Sequence, residues 1–206
     1  MSPNLQKIIK KKIYKIITME YTSCGAATLI GIDARCDNSF GGIKRILVGN
    51  RDEWTIDVNQ PSGTTIPTDM ITSITYNTPE PRYFVEFKFK RNTGNYTSTV
   101  APDVTIGNNA ATTEVNLQFT KAETNKRMAI QSLINSGNSC IIIEDMYGQY
   151  IYLGVDNGVY ITNAVMQSGT AESDLNGFTL TLQDVSQELP YFIDTTQVEI
   201  DQLIEP

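Results

Sequence analysis

The chain contains no histidine, and this absence removes several kinds of active site. Neither a Ser-His-Asp triad nor a Cys-His nucleophile pair can form within one chain, and no imidazole is present to bind a metal ion. The three cysteines, Cys24, Cys36 and Cys140, are too few for a four-thiolate zinc site. Cys24 and Cys36 also stand too far apart in the sequence to form a zinc-binding pair. Much of enzyme chemistry is therefore excluded before any motif is considered.

Long apolar runs and a secretion signal are also missing. With 40% hydrophobic and 19% charged residues, the 206-residue chain is neither disordered nor membrane-spanning. A chain of this length can bury a full core as one domain without disulfides or metals. An odd cysteine count without a secretory pattern indicates reduced thiols in a cytosolic setting.

Charge is unevenly distributed along the chain. Residues 1–18 hold five lysines and no acid, whereas the remainder has 11 basic and 23 acidic side chains, a net charge of −12. An acidic body is not expected to bind nucleic acid, because affinity for phosphates comes from Lys and Arg. It can still surround DNA, since a wall of like charge lets a duplex slide past. The alternative is that the charge serves solubility alone.

The N-terminal residues form a pattern of their own. We predict a basic amphipathic helix here, able to lie on a membrane or dock on an acidic partner. A signal peptide fits poorly, because the lysines break any apolar segment. The alternative is that Met19 is the true start and residues 1–18 are translated from an upstream codon or left disordered. The helical stripe would consist of Leu5, Ile8, Ile9, Ile13, Ile16 and Ile17.

From residue 20 onward, short runs rich in Thr, Val, Ile, Tyr and Phe are separated by Gly, Asn, Asp and Pro, which is typical of strands and turns. The predicted strands are Ile43–Val48, Trp54–Val58, Ile71–Tyr76, Tyr83–Lys90, Tyr96–Val100, Glu114–Phe119, Cys140–Glu144, Tyr150–Leu153, Tyr160–Val165, Phe178–Leu182 and Pro190–Ile193.

Four segments carry more specific predictions. The apolar run Cys140–Glu144 predicts a strand buried on both faces. Helical spacing over Thr124–Asn135, ended by Ser136-Gly137, predicts one helix with Met128, Ile130, Leu133 and Ile134 on its packed face. The turn-rich residues 101–112 predict a loop or a mobile arm. Asn157-Gly158 predicts a β-hairpin turn, because both residues tolerate positive φ.

Together these elements predict a mainly β fold, a β-sandwich or barrel of about ten strands with one packed α-helix. We divide the chain into a basic amphipathic N-terminal extension (residues 1–20), a β domain (21–194) and an acidic C-terminal tail (195–206).

The acidic residues offer few candidates for catalysis. Asp145 with Asp156, or Glu172 with Asp174, has the composition of a glycosidase carboxylate pair. Asp145 and Asp156 fall in turns, however, where Asp binds its own backbone. Glu172 and Asp174 lack the alternating spacing of a calcium loop. We therefore predict no catalytic, cofactor-binding or metal-binding residue, and no enzymatic activity.

One group of known proteins shares a distinctive order of motifs with this chain. Between Cys24 and about Ile193 the sequence resembles structural proteins of tailed phages that infect Bacteroidales, including crAss-like phages. The shared segments are Cys36, Gly41–Ile46, Tyr83–Phe89, Thr124–Asn135, Cys140–Asp145, Gly148, Gly154–Gly158, Ser168–Ala171, Asp174 and Asn176–Phe178.

This resemblance implies a virion protein with a tail-tube-like fold, assembled in the bacterial host cytoplasm. It implies closed homo-oligomeric rings, hexameric or else dodecameric, stacked with neighbouring tail or neck proteins. DNA would only pass through the lumen, without sequence-specific binding, and no membrane partner is expected. Residues 92–112 would form an arm that orders on contact with the next subunit.

Two other functions remain open on the sequence. The first is a carbohydrate-binding β-sandwich of a fibre or receptor-binding protein, against which the single Trp counts. The second is a small hydrolase that uses carboxylates, which the missing histidine disfavours.

Overall fold

The computed structural model describes residues 40–58, 70–79, 81–103, 108–196 and 198–204. The N-terminal helix predicted for residues 1–18, the alternative start at Met19, and Cys24 and Cys36 lie outside these residues.

The described chain is mainly β, as predicted, with eleven strands and one α-helix. The helix, α1, spans Thr124–Ser136, and short 3-10 turns lie at Arg51–Glu53 and Ile200–Leu203. The strands are β1 Ile43–Asn50, β2 Trp54–Val58, β3 Met70–Tyr76, β4 Val85–Lys88, β5 Gly94–Asp103, β6 Asn108–Thr120, β7 Ser139–Asp145, β8 Tyr150–Leu153, β9 Val159–Gln167, β10 Gly177–Ser186 and β11 Tyr191–Ile193.

The strands belong to one mixed sheet that is nearly divided into two layers. A seven-strand layer has the order β4-β1-β7-β8-β11-β3-β2, with β11 and β3 parallel. A four-strand layer has the order β9-β10-β6-β5 and is antiparallel throughout. A single residue pair, Ser139 with Val159, joins the layers. The described strands do not close into a barrel, so that half of the prediction is wrong and the sandwich-like arrangement holds.

The first core lies between the two layers. Alternating residues of β6 and β10 point inward, because successive side chains of a strand face opposite sides. The predicted inward face of Glu114–Phe119 is confirmed, with Val115, Leu117 and Phe119 all buried. The remaining buried members of this core are Ile43, Ile46, Val48, Ile130, Leu133, Ile141, Ile143, Ile151, Leu153, Val159, Phe178, Leu180 and Leu182.

A second core covers the other face of the seven-strand layer. The layer curls around it, since the Trp54 and Phe84 rings, from opposite ends of the strand order, lie 4.3 Å apart. Strand β7 contributes to both cores and is buried on both faces, as predicted. The fold also continues past Ile193, because Val198 and Ile200 are buried here. The other buried members are Leu47, Ile71, Ile74, Cys140, Ile142, Tyr152 and Ile193.

Helix α1 begins at the predicted Thr124 and extends one residue past the predicted Asn135, to Ser136. Gly137 follows it in the left-handed conformation (φ 65°) common at helix C-termini, as predicted. Ile130 and Leu133 pack into the first core. Met128 and Ile134, however, are 61% and 42% exposed, so the packed face is narrower than predicted.

Of residues 101–112, the described ones, 101–103 and 108–112, belong to strands β5 and β6 and not to a loop. Strands β5 and β6 pair continuously from Gly94–Leu117 to Asp103–Asn108. The loop prediction is therefore wrong for residues 101–103 and 108–112, because pairing between β5 and β6 overrides their local turn preference. The predicted strand Tyr83–Lys90 is shorter in the structure, where β4 spans Val85–Lys88. Phe84, just before it, is fully buried in the second core, and Val85 is 57% exposed.

The predicted hairpin at Asn157-Gly158 is also wrong. Strands β8 and β9 do not pair; β8 belongs to the seven-strand layer and β9 to the four-strand layer. Residues 154–158 instead cross the end of β7 between the layers. Both glycines have positive φ (91° at Gly154, 73° at Gly158). A Cβ at Gly154 would lie 2.9 Å from the backbone oxygen of Ser139, so this position needs glycine for close approach as well, and a Cβ at Gly158 would lie 2.2 Å from Asn138 Oδ1 and displace that side chain.

Candidate assembly surface

Among the described residues, strand β9 has a full partner on only one of its two edges. It pairs with β10 from Val159 to Gln167, and on its other side only Val159 pairs, with Ser139 of β7. The backbone N–H and C=O groups that point away from β10 are therefore available to another strand.

The composition of β9 does not guard this edge. Natural sheets protect edge strands with Lys, Pro or other charges, yet β9 (VYITNAVMQ) contains none of these. Residues 162–167 are exposed, including Val165 (39%) and Met166 (63%). An open, uncharged and partly apolar edge is suited to pairing with another chain.

Strand β5 forms the opposite edge of the same layer. It pairs with β6 along its full length. Between Gly94 and Ala101 it also carries no charged residue and no proline. Thr97 and Thr99 are exposed on this strand, whereas Tyr96 packs partly against the first core.

The direction of these two edges is set by the number of strands. Because the four strands alternate in direction, β5 and β9 run antiparallel to each other. A second copy placed beside the layer in the same orientation would set its β5 antiparallel to β9. The sheet would then continue across the boundary with its alternation unbroken.

A groove of about 300 Å³ runs beside β9, with helix α1 as its other wall. The helix contributes Leu133 and Ile134, and the strand contributes Tyr160, Ile161 and Ala164. A strand entering here would meet backbone groups at its edge and apolar side chains on one face.

The edges of the seven-strand layer differ, because charged residues occupy them. Strand β4 carries Glu86 and Lys88, and β2 carries Asp57. The Arg45 guanidinium binds Glu86 at 3.1 Å and also binds the buried carboxylate of Glu144.

This ionic network also joins separate parts of the fold. Lys44 binds Glu144 as well, and Arg45 reaches Asp201 of the C-terminal segment at 3.5 Å. Burial alone would raise the pKa of Glu144, but hydrogen bonds from Lys44 and Arg45 outweigh it and lower that pKa. The network therefore holds Glu144 charged and ties the β1 strand to its neighbours.

The carboxylates considered for catalysis are used by turns. Asp145 Oδ1 accepts hydrogen bonds from the backbone N–H of Tyr147 (2.9 Å) and Gln149 (2.8 Å), as the turn interpretation predicts. Asp156 lies beyond the other end of β8 and accepts from the N–H of Gln187 at 3.0 Å. These two residues are not brought together as a pair.

The second pair has a similar explanation. Asp174 Oδ2 accepts from the N–H groups of Thr170 and Ala171 and from the Thr170 hydroxyl. These bonds lower the pKa of Asp174 and fix the turn after Gly169. Its carboxylate thus serves the loop between β9 and β10.

The remaining cysteine is enclosed. Cys140 is fully buried in the second core, and burial raises the pKa of its thiol to about 11. A thiol in this state is a poor nucleophile, because the thiolate is the reactive form.

Two features of the structure, a buried carboxyl group and an unpaired strand edge, escaped the sequence analysis. Asp184 is 3% exposed on β10, beyond the predicted end of that strand at Leu182. The available signal was the alternation Phe178, Leu180, Leu182, which continues to position 184 on the inner face. The open edge of β9 was missed because a hairpin with β8 would have covered it.

Over the described ranges, no three His, Cys, Asp or Glu side chains converge closely enough to hold a metal ion. None of the helices in that part of the chain is long and apolar enough to cross a membrane. No family model, curated protein or solved structure matches this chain.

Proposed function

We propose that this protein is a non-enzymatic structural subunit of a tailed-phage virion, which assembles into closed rings of the tail tube or neck. The observation that supports the proposal is the pair of edges, β9 and residues 94–101 of β5, that carry no charge, lie unpaired among the described residues and run antiparallel on one layer.

Pairing of β5 with β9 of the next copy uses two different surfaces. Such a head-to-tail interface closes into a ring when the rotation between copies closes, and otherwise forms a filament. In a closed ring every edge of the four-strand layer is paired, so the exposed backbone groups of β9 find partners. Ring closure therefore removes the feature that makes the isolated subunit prone to association.

The charge of the chain fits a channel for DNA. Residues 19–206 carry a net charge of −12. Phosphates are repelled by such a wall, and counterion release by Lys and Arg would be small. The channel then lets DNA pass without holding it, and the ring acts as a passive conduit within the virion.

The first test measures the assembly state of the full chain by light scattering and negative-stain microscopy. Val165 and Met166 on β9 are changed to Lys in one variant, because lysine on an edge opposes strand addition. A matched control changes Val85, an exposed valine on β4, to Lys. We expect rings from the wild type and the control, and folded monomers from the β9 variant.

A mixing experiment tests the direction of the interface. A second variant carries Thr97→Lys and Thr99→Lys on β5. Each variant then keeps one working edge, so an equimolar mixture should form a single heterodimer although each variant alone is monomeric. The proposal is contradicted if the wild-type protein stays monomeric at high concentration, or if it binds to a glycan array as a monomer. A β5 variant that still dimerises alone indicates symmetric β9–β9 pairing and contradicts the head-to-tail interface.

A further inference from the structure

Asp184 is a buried carboxyl group in the layer that faces the first core. Its side chain follows Phe178, Leu180 and Leu182 on the inner face of β10 and is 3% exposed. Oδ2 accepts a hydrogen bond from the N–H of Gly154 at 3.1 Å. Oδ1 is also buried and finds no hydrogen-bond partner within the described part of the chain. An unpartnered buried oxygen is costly when the group is charged.

The elements packed around Asp184 bring no compensating cation to it. On β6 its neighbour is Thr113, whose hydroxyl is bonded to Ser98, and on β9 it is Val159. The β8–β9 connection contributes Asp156, a second acid, and β8 contributes the neutral Tyr152. Arg51 uses its guanidinium for the carbonyls of Gly154 and Val155 (3.0 and 2.7 Å).

These surroundings favour the neutral form of the carboxyl. Burial raises the pKa of Asp184 most strongly, the Gly154 N–H lowers it, and the charge of Asp156 raises it further. The net direction is upward from the ordinary value of 3.8.

Asp184 also occupies a position that matters mechanically. Its partner Gly154 begins the connection between the two layers, and the connection ends beside Val159, which forms the single pair that joins them. Asn157 Nδ2 and Asp156 fasten the connection to Val185 and Gln187, just beyond Asp184 on the chain. Hydration of Asp184 therefore requires residues 154–158 to move aside.

We propose that Asp184 is a proton-binding site that makes the β8–β9 connection sensitive to pH. The neutral carboxyl accepts the Gly154 N–H and keeps residues 154–158 packed between the layers. The ionised carboxylate gains hydration when the connection opens, so ionisation weakens the join between the layers. This property does not depend on ring assembly.

The test combines carboxyl 13C NMR with urea unfolding, followed by the fluorescence of Trp54, the only tryptophan. The variants are Asp184→Asn and, as a control with the same charge change, Asp57→Asn on an exposed position of β2. We expect the Asp184 carboxyl to titrate above 3.8, and the amide protection factor of Gly154 to fall as it ionises.

The sign of the linked stability follows from the raised pKa. The stabilisation contributed by protonated Asp184 is complete below the pKa that this carboxyl has in the unfolded chain, and it is lost as pH rises through its pKa in the folded protein. Relative to Asp184→Asn, the unfolding constant of the wild type should rise up to about tenfold per pH unit within that window. The Asp57→Asn control keeps Asp184, so its unfolding constant should rise over that pH window as that of the wild type does.

Three results would overturn the proposal. The first is a titration midpoint of the Asp184 carboxyl at or below 3.8. The second is a wild-type stability that depends on pH in the same way as that of Asp184→Asn. The third is stabilisation of the wild type alone by added sodium or calcium, which indicates a bound cation rather than a proton. If Asp184→Asn does not fold, Asp156→Asn serves instead, because removing that charge should lower the titration midpoint of Asp184. An unchanged midpoint then contradicts the proposal.

Discussion

The two layers of this fold treat their edges in opposite ways. The seven-strand layer places Glu86, Lys88 and Asp57 on its outer strands and curls until Trp54 meets Phe84. In the four-strand layer, β9 and residues 94–101 of β5 carry no charge, and the described residues leave these edges unpaired; Pro102 and Asp103 follow only at the end of β5. Charged edges oppose strand addition and uncharged ones permit it. The seven-strand layer therefore forms the stable body of the protein, and the four-strand layer is the part suited to continuing into a neighbour.

The two layers also differ in how their central strands are buried. In β7 of the seven-strand layer, Ile142 faces the second core and Ile143 the first, and both are fully buried. In β10 of the four-strand layer, Leu180 faces the first core, whereas Thr179 points to the outer face. The outer face of that layer has no core of its own among the described residues.

The largest expected effect comes from alanine substitutions in these central strands, which test whether the two layers differ in burial. Ile142→Ala and Ile143→Ala should each lower the free energy of unfolding by about 2–5 kcal/mol, because each leaves a cavity in a core. Leu180→Ala should cost a similar amount, and Thr179→Ala less than about 1 kcal/mol. Urea unfolding followed by Trp54 fluorescence measures all four variants. Equal costs for Thr179 and Leu180 would show that the outer face of the four-strand layer is packed as well.

The strand content was predictable because it is carried by local patterns. The run Cys140–Glu144 indicates burial on both faces, and the alternation of Val115, Leu117 and Phe119 indicates burial on one. Those interpretations concern only a strand and its own side chains. They are confirmed because successive side chains of a strand point to opposite faces, so the sequence pattern of a strand indicates which of its faces are buried.

Strand partners were less predictable, because they depend on distant residues. Asn157-Gly158 favours a tight turn, but β7 lies between β8 and the four-strand layer, so the turn becomes a crossing. The turn residues near position 101 likewise signal a loop, while ten-residue pairing with β6 extends the strand. The open edge of β9 and the burial of Asp184 both depend on these pairings. The candidate site could therefore not be predicted without the strand partners.

The second prediction concerns the crossing between the layers. Gly158→Val should lower the free energy of unfolding by about 1–3 kcal/mol from its positive φ alone. The clash of a Cβ with Asn138 Oδ1 adds to that cost. Gly148→Val is the matched control: its φ is also positive (89°), but nothing lies within 4 Å of a Cβ there. The melting temperature of Gly158→Val should therefore be lower than that of Gly148→Val. Equal melting temperatures would contradict the packing of residues 154–158 against Asn138.

The smallest effect concerns the charges of the seven-strand layer. Glu144→Gln should lower the free energy of unfolding at pH 7 by about 1 kcal/mol, because, of its two cationic partners, Lys44 is largely exposed to water and Arg45 keeps its bond to Glu86. Glu114→Gln, on the exposed face of β6 in the four-strand layer, is the control and should change it little.

The pH dependence separates charge from packing at Glu144. Because the folded state lowers the pKa of Glu144, its contribution is complete above the ordinary value of 4.5 and is lost as pH falls through the folded pKa. The gap between the wild type and Glu144→Gln, measured by urea unfolding, should therefore narrow below pH 4.5. A gap that persists unchanged in acid would mean that Glu144 stabilises the layer by packing. In that case the charges on β1 and β4 would not be what distinguishes the seven-strand layer from the four-strand layer.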